Sequence, residues 1–171
     1  IIHDNNPKKS IRTNIIGTSN LTIACIEMNI KLIYFSTNYV YPLNNKSNKE
    51  NDPVLPINNY AFSKMGGECA VQMYKNSLIL RIIMSERPFV HKSAFTDIKT
   101  NFMYHDEVVK LIPKIINSKG ILNIGGKIQS IYDFAKLSKN NVQKAKVKKI
   151  LGKKYFKNQT INIGKLKLII N

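Results

Sequence analysis

Two short apolar runs constrain this chain more than anything else in it. Lys31–Phe35 (KLIYF) and Ser77–Met84 (SLILRIIM) have the length of buried strands, and each follows a stretch of helical spacing. Through residues 7–29, Ile11, Ile15, Leu21, Ala24, Cys25 and Met28 recur at roughly helical intervals, and Pro7 suits a first turn. Residues 42–59 are Pro, Asn, Ser and Lys with few apolars, which reads as a long surface loop. Asn59–Asn76 returns to helical spacing. After an irregular stretch over 85–103, the pattern predicts a helix at His105–Ser118, a strand at Ile121–Ile124 and a helix at Ser130–Leu137. A strand at Val147–Leu151 and a last helix at Lys165–Ile170 complete it. Apolar strands alternating with helices imply an α/β fold, a parallel sheet with helices on both faces. The change of character near Ser85 divides the chain into 1–84 and a C-terminal lobe, 85–171, interwoven with it.

Composition removes several classes. With 43% hydrophobic residues in 171, the chain has enough apolar surface for a core and is not disordered. No apolar window is long enough for a membrane span. Cys25 and Cys69 lack a CxxC spacing, which points to reduced thiols and a cytoplasmic protein. His3, His91 and His105 are scattered and suggest no metal site. The net charge of +17 raises nucleic-acid binding as a function. Arg12, Arg81 and Arg87 are its only arginines, however, and the lysines are dense only over 144–157. A lysine-rich solvated surface without Arg forks argues against nucleic-acid recognition.

In open α/β sheets ligands bind beyond the carboxyl ends of the strands. The first run ends in Ser36-Thr37-Asn38 and the second in Ser85-Glu86-Arg87, so polar groups meet at one rim. The intervening helix carries Tyr60 and Lys64, four residues apart and on one face. An ammonium beside a phenol lowers the phenol's pKa and equips it for proton exchange. A Thr37 or Ser36 hydroxyl could hold the carbonyl oxygen that receives the proton. A YxxxK pair alone is weak, and Tyr132–Lys136 is a second one, read as a solvated helix face. Context distinguishes the first. Gly66-Gly67 follows it, and Gly-Gly inside a helix costs roughly 1 kcal/mol per residue unless a backbone must approach something closely. Arg87, in the irregular segment 85–105, is the candidate for gripping a diphosphate.

At these residues the chain resembles the extended short-chain dehydrogenase/reductases acting on nucleotide sugars, especially the dTDP-4-dehydrorhamnose reductases and their sugar-nucleotide-binding relatives. The resemblance runs through NIIGTSNLTIAC, KLIYFSTNYVY, PINNYAFSKMGGE, LILRIIMSERPF and ILNIGGKIQSIYDFAKLS, in order. It implies a Rossmann-like fold, with 1–84 the C-terminal part of a dinucleotide-binding domain and 85–171 the substrate lobe. It implies Tyr60 as proton donor, Lys64 as the residue that binds the nicotinamide ribose, and Thr37 as the hydroxyl on the substrate carbonyl. Ser36 joins Tyr60 and Lys64 on the NADP or NAD side. Asn38, where the family usually has Asp, joins Thr37 and Arg87 on the side of the nucleotide-sugar substrate. The implied reaction is reduction of a nucleotide-linked 4-keto sugar, with epimerisation or dehydration as alternatives that share the apparatus.

None of the eight glycines forms the Gly-rich turn that receives a pyrophosphate. By resemblance the family's first strands are not in these residues, so a strand edge would be left open. A homo-oligomer, or a partner supplying the missing strands, would cover it. A non-catalytic nucleotide-sugar-binding module is the rival reading.

Overall fold

The structure, a computed structural model, describes residues 2–147 and 157–170. The expected strand at Val147–Leu151 and most of the lysine-dense stretch fall outside them. Helices α1 (Ile2–Asn5) and α2 (Pro7–Ser10) lead into a π-helical segment, Ile11–Ile16, and then α3 (Gly17–Glu27). Pro7 opens α2, and the Asn6 side chain caps it by accepting the Lys9 N–H at 3.0 Å. Strand β1 is Leu32–Thr37 and β2 is Ser77–Ile82, with α4 (Asn59–Gln72) between them. Asn58 caps α4 by accepting the Ala61 N–H at 2.8 Å. Strand β1 runs two residues beyond KLIYF, because Ser36 and Thr37 still pair with Arg81 and Ile82.

A short pair, β3 (Met84–Ser85) with β6 (Met103–Tyr104), precedes α5 (His105–Ile115). Between them lie β4 (Ser93–Phe95) and β5 (Lys99–Thr100). Strand β7 (Gly120–Ile124) follows, then β8 (Gln129–Ser130), α6 (Ile131–Lys136), β9 (Gln143–Ala145) and α7 (Gly164–Ile170). The main sheet is parallel throughout, in the order β1-β2-β7, so the expected α/β sheet is present.

Both faces of this sheet are covered. Alternation sends Tyr34, Ile79 and Ile121 to one side, where Cys25 of α3 and Val71 of α4 join them. Leu78, Leu80, Ile82, Leu122 and Ile124 go to the other, against Val108 and Ile115 of α5 and Leu166 of α7. Residues 105–124 thus return to the sheet even though they follow Ser85. The segments 85–104 and 129–147 build a second cluster of Phe89, Ala94, Tyr104, Phe134, Ala135 and Val142. There β4 pairs with β9, and Tyr104 stacks on Phe134 at 4.4 Å between ring centroids.

Candidate functional site

Ser36, Arg81 and Asn123 stand in register across β1, β2 and β7, two residues beyond the apolar row Tyr34, Ile79 and Ile121. All three are buried polar residues, and a buried guanidinium must be paired. Glu68 of α4, fully buried, supplies the pair. Arg81 donates from Nη2 to Glu68 Oε2 at 2.8 Å, and from Nε to both carboxylate oxygens at 3.2 Å. Ser36 Oγ donates to the same carboxylate. Arg81 Nη1 reaches Tyr41 Oη at 3.0 Å, and Tyr41 donates to Asn123 Oδ1 at 2.9 Å. Burial lowers the affinity of Arg81 for its proton, but the hydrogen bonds and charge of Glu68 outweigh it, so its pKa is raised.

This row also ties down the loop at residues 42–58. Arg81 donates to the Glu50 carbonyl at 3.2 Å, and the Asn123 N–H donates to Glu50 Oε1 at 3.1 Å. Asn123 Nδ2 reaches the carbonyls of Asn48 and Asn162, both at 3.0 Å. Sequence reasoning missed Glu68, Arg81 and Asn123. The available signal was a lone Arg inside an otherwise apolar strand.

Tyr60 and Lys64 lie one turn apart near the start of α4, and Glu68 is one turn further on the same face. The expectation that Lys64 depresses the Tyr60 pKa is not met. Lys64 Nζ lies over the Tyr34 ring, 4.1 Å from its centroid, and makes no ion pair among the described residues. The Tyr60 phenol is instead pushed up, first by burial and second by the Tyr39 phenol. Burial lowers the Lys64 pKa, and the Glu68 charge works against that shift. His3 of α1 lies against Tyr60, with ring centroids 4.9 Å apart, another neighbour that sequence spacing did not reveal.

Thr37 ends β1 with its hydroxyl accepting the Tyr39 N–H at 3.2 Å, so it caps the 3-10 turn Asn38–Val40. That turn packs on α4, which brings the end of β1 and the Tyr60 end of the helix to one rim. Ser36, by contrast, is buried and donates its hydroxyl to Glu68. Asn38 is partly exposed beside Thr37. Arg87 is 45% exposed, lies over the Tyr104 ring at 3.9 Å, and faces Asp106 at 3.4 Å and Glu107 at 3.7 Å. Its guanidinium therefore meets carboxylates at the start of α5. A cleft of about 520 Å³ opens between Tyr39 and the segment carrying Met84, Phe89, His91 and Phe102.

Gly66 and Gly67 serve the protein's own packing. A Cβ on Gly67 would lie 2.6 Å from the Asn14 carbonyl oxygen, and one on Gly66 would lie 2.7 Å from Ile15 Cδ1. The π-helical turn presses Asn14 and Ile15 onto α4, where Asn14 Nδ2 donates to Ser63 Oγ at 2.9 Å. Tyr34 Oη donates to the Lys64 carbonyl at 3.1 Å across the same contact.

A parallel sheet clothed by helices, with Tyr60 and Lys64 on the helix beside the strand that ends in Thr37, defines a Rossmann-like α/β fold. Residues 3–85 match the family described as the RmlD substrate binding domain. Solved structures agree on the fold. A dTDP-4-dehydrorhamnose reductase from Bacillus anthracis, in complex with NADP, superposes with a TM-score of 0.74 at 22% identity, covering 91% of this chain and 65% of its own. A hypothetical dTDP-4-dehydrorhamnose reductase from Sulfolobus tokodaii gives a TM-score of 0.77 at 18% identity, covering 95% and 67%. A UDP-glucuronic acid 4-epimerase from Bacillus cereus, in complex with NAD, gives 0.72 at 22% identity, covering 94% and 61%. The chain thus spans about two thirds of these relatives' length. No curated protein matches its sequence. No helix among the described residues is long and apolar enough to cross a membrane.

Proposed function

We propose that this chain is the substrate-side portion of an NAD(P)-dependent reductase of nucleotide-linked 4-keto sugars. The observation that carries this reading is the pairing of Tyr60 and Lys64 on α4 beside the end of β1. The residues present suit the nicotinamide ribose. Lys64 is a half-buried ammonium without a carboxylate partner among the described residues, a donor available to ribose hydroxyls. None of the glycines in these residues makes the Gly-rich loop that receives a pyrophosphate.

Reducing a ketone adds a hydride to carbon and a proton to oxygen. The nicotinamide supplies the hydride when bound. Tyr60 supplies the proton, and its raised pKa keeps the phenol protonated at neutral pH, ready to act as an acid. The resulting tyrosinate regains a proton from solvent. Thr37 and Asn38 are the substrate-facing polar groups at the rim. The cleft bounded by Tyr39, Met84 and Phe102 receives the substrate, with specificity drawn from residues 85–105.

Among the described residues strand β1 is paired on one side only, and Phe35 is 46% exposed beside it. Ile16, Leu21, Ile23 and Ile26 are exposed along the preceding helix. A further β-α portion, in the same polypeptide or in a partner, completes this edge and brings the phosphate-binding turn.

The test mixes the protein with NADPH and a dTDP-4-keto sugar and follows absorbance at 340 nm. Turnover that falls by about 10²-fold or more in Tyr60→Phe supports the assignment. Activity that survives that substitution removes Tyr60 from the mechanism. The rival reading is a non-catalytic nucleotide-sugar-binding module. Sugar-nucleotide binding by calorimetry without any NADPH oxidation would select it.

A further inference from the structure

Tyr60 is the second residue of α4. Side chains in a helix lean back over the preceding turn, and at that position α4 has no preceding turn. The ring therefore overhangs the start of the helix, and other elements must set its place. Helix α1 does so through His3, whose ring centroid lies 4.9 Å from that of Tyr60 with the planes tilted by 51°. That separation and tilt are those of a favourable aromatic pair. His3 is itself fixed. Its Nδ1 shares a hydrogen bond of 2.8 Å with Ser10 Oγ, and Ser10, the last residue of α2, is buried. The next residue of α1, Asp4, accepts a hydrogen bond from Asn59 Nδ2 at 2.9 Å. Two consecutive residues of α1 thus engage two consecutive residues of α4. A four-residue helix has little stability of its own, so α1 and the first turn of α4 hold each other.

We propose that His3 is a positioning residue for Tyr60: anchored through Ser10, its imidazole seats the Tyr60 ring and holds the phenol at the rim. That Tyr60 is the proton donor rests on the reductase reading, whereas the seat itself does not. The part played by His3 is mechanical. A phenol held in one direction spends more of its time in the geometry from which a proton can be passed. An overhanging ring without a seat would swing between the rim and solvent. Ser10 acts one step further back, by keeping the imidazole from turning away.

The test reads the accessibility of each phenol in the protein without cofactor. Tyrosines are acetylated with N-acetylimidazole near neutral pH, and the rate at each position is followed by mass spectrometry of the peptides. In His3→Ala the rate at Tyr60 should rise about fivefold, the factor by which an ordinary aromatic contact biases an open–closed equilibrium. His3→Phe keeps a ring in the seat and should bring the rate back to that of wild type. Ser10→Ala leaves both rings in place and should give a smaller rise, and it carries the test if His3→Ala does not fold. Tyr41, buried at 2% exposure, is the control and should not change. An unchanged rate at Tyr60 in His3→Ala, or one that His3→Phe does not restore, overturns the proposal. A rise shared equally by Tyr41 also overturns it, because it marks general loosening. Turnover that survives Tyr60→Phe would overturn the reductase reading instead and leave the seat standing.

Discussion

The main sheet and the cluster around Phe134 hold themselves together by different means. In the sheet, β1 and β2 align six residues each and β2 and β7 align five, which fixes every position relative to its neighbours. The row Ser36, Arg81 and Asn123 is pinned by that register and by Glu68. In the second region the strands are two or three residues long and define little by themselves. Position there comes from side chains: Tyr104 stacks on Phe134 and donates to the Phe134 carbonyl at 3.0 Å, within 2.7 Å of Ser138 Oγ. A ladder tolerates side-chain change away from its charges, whereas a cluster has no ladder to fall back on. The catalytic candidates stand on the first kind of structure and the specificity candidates on the second. This suits a site whose chemistry is fixed and whose substrate pocket varies.

The largest effect should follow from breaking the buried pair. Glu68→Ala leaves Arg81 buried and unpaired, and should cost about 3–5 kcal/mol, read as a lower urea midpoint. A loss under about 1 kcal/mol would mean that water reaches Arg81 and that the row does not anchor the sheet. Gly67→Ala drives a Cβ towards the Asn14 carbonyl and the Tyr34 hydroxyl, and should cost about 1–3 kcal/mol. In the second region, Tyr104→Phe keeps the stack but removes the hydroxyl from the Phe134 carbonyl and Ser138, for about 1–2 kcal/mol. Hydrogen exchange should show that loss in residues 129–147 and not in β2. Equal loss in both would merge the two regions into one cooperative unit.

Alkaline pH sharpens the contrast, because the sheet side of the molecule holds the perturbed phenols. Tyr34, Tyr39, Tyr41 and Tyr60 all lie above their usual value of 10.0, chiefly through burial. The folded state therefore keeps protons that the unfolded chain releases. Stability is full below pH 10 and is lost as pH rises beyond it. Lys31 and Lys64, lowered from 10.5 by burial, have the opposite sign just below that value, so the decline should begin gently. Urea midpoints taken from about pH 8 to 11 should show it, and Tyr34→Phe should flatten the fall. The smallest effect belongs to Arg87→Ala. Its contacts are exposed, so the loss should stay under about 1 kcal/mol.

What the sequence shows and hides follows the same division. KLIYF and SLILRIIM identify a parallel sheet because strands buried on both faces leave no alternation to misread. The strand end at Thr37 and the Tyr60–Lys64 face were legible for the same reason, being local. Gly66-Gly67 announced a close approach, but the partners are Asn14, Ile15 and Tyr34, separated from the pair by more chain than a local pattern spans. Ser36 reads as a site hydroxyl and is in fact committed to Glu68, because only the register with Arg81 reveals the carboxylate above it. Residues 85–103 read as irregular because their pairing partners lie far along the chain, such as Gln143–Ala145 for Ser93–Phe95.

The loop at residues 42–58 has a consequence in time. Asn45 is held by the backbone of Lys157 and Asn158, at 2.7 and 3.2 Å, and the Asn48 carbonyl accepts the N–H of Asn162 at 2.8 Å. A ribosome adding about 5–20 residues per second needs on the order of ten seconds to travel from the loop to its fasteners. Until then Arg81 and Asn123 hold the loop through Glu50 and Asn48, but its fasteners at Lys157, Asn158 and Asn162 are missing. A nascent chain would thus carry Tyr60, Lys64 and Thr37 early but fasten the neighbouring loop only as residues 157–162 emerge. Removing residues 157–170 should leave the loop sensitive to protease while the β1-β2 pairing persists.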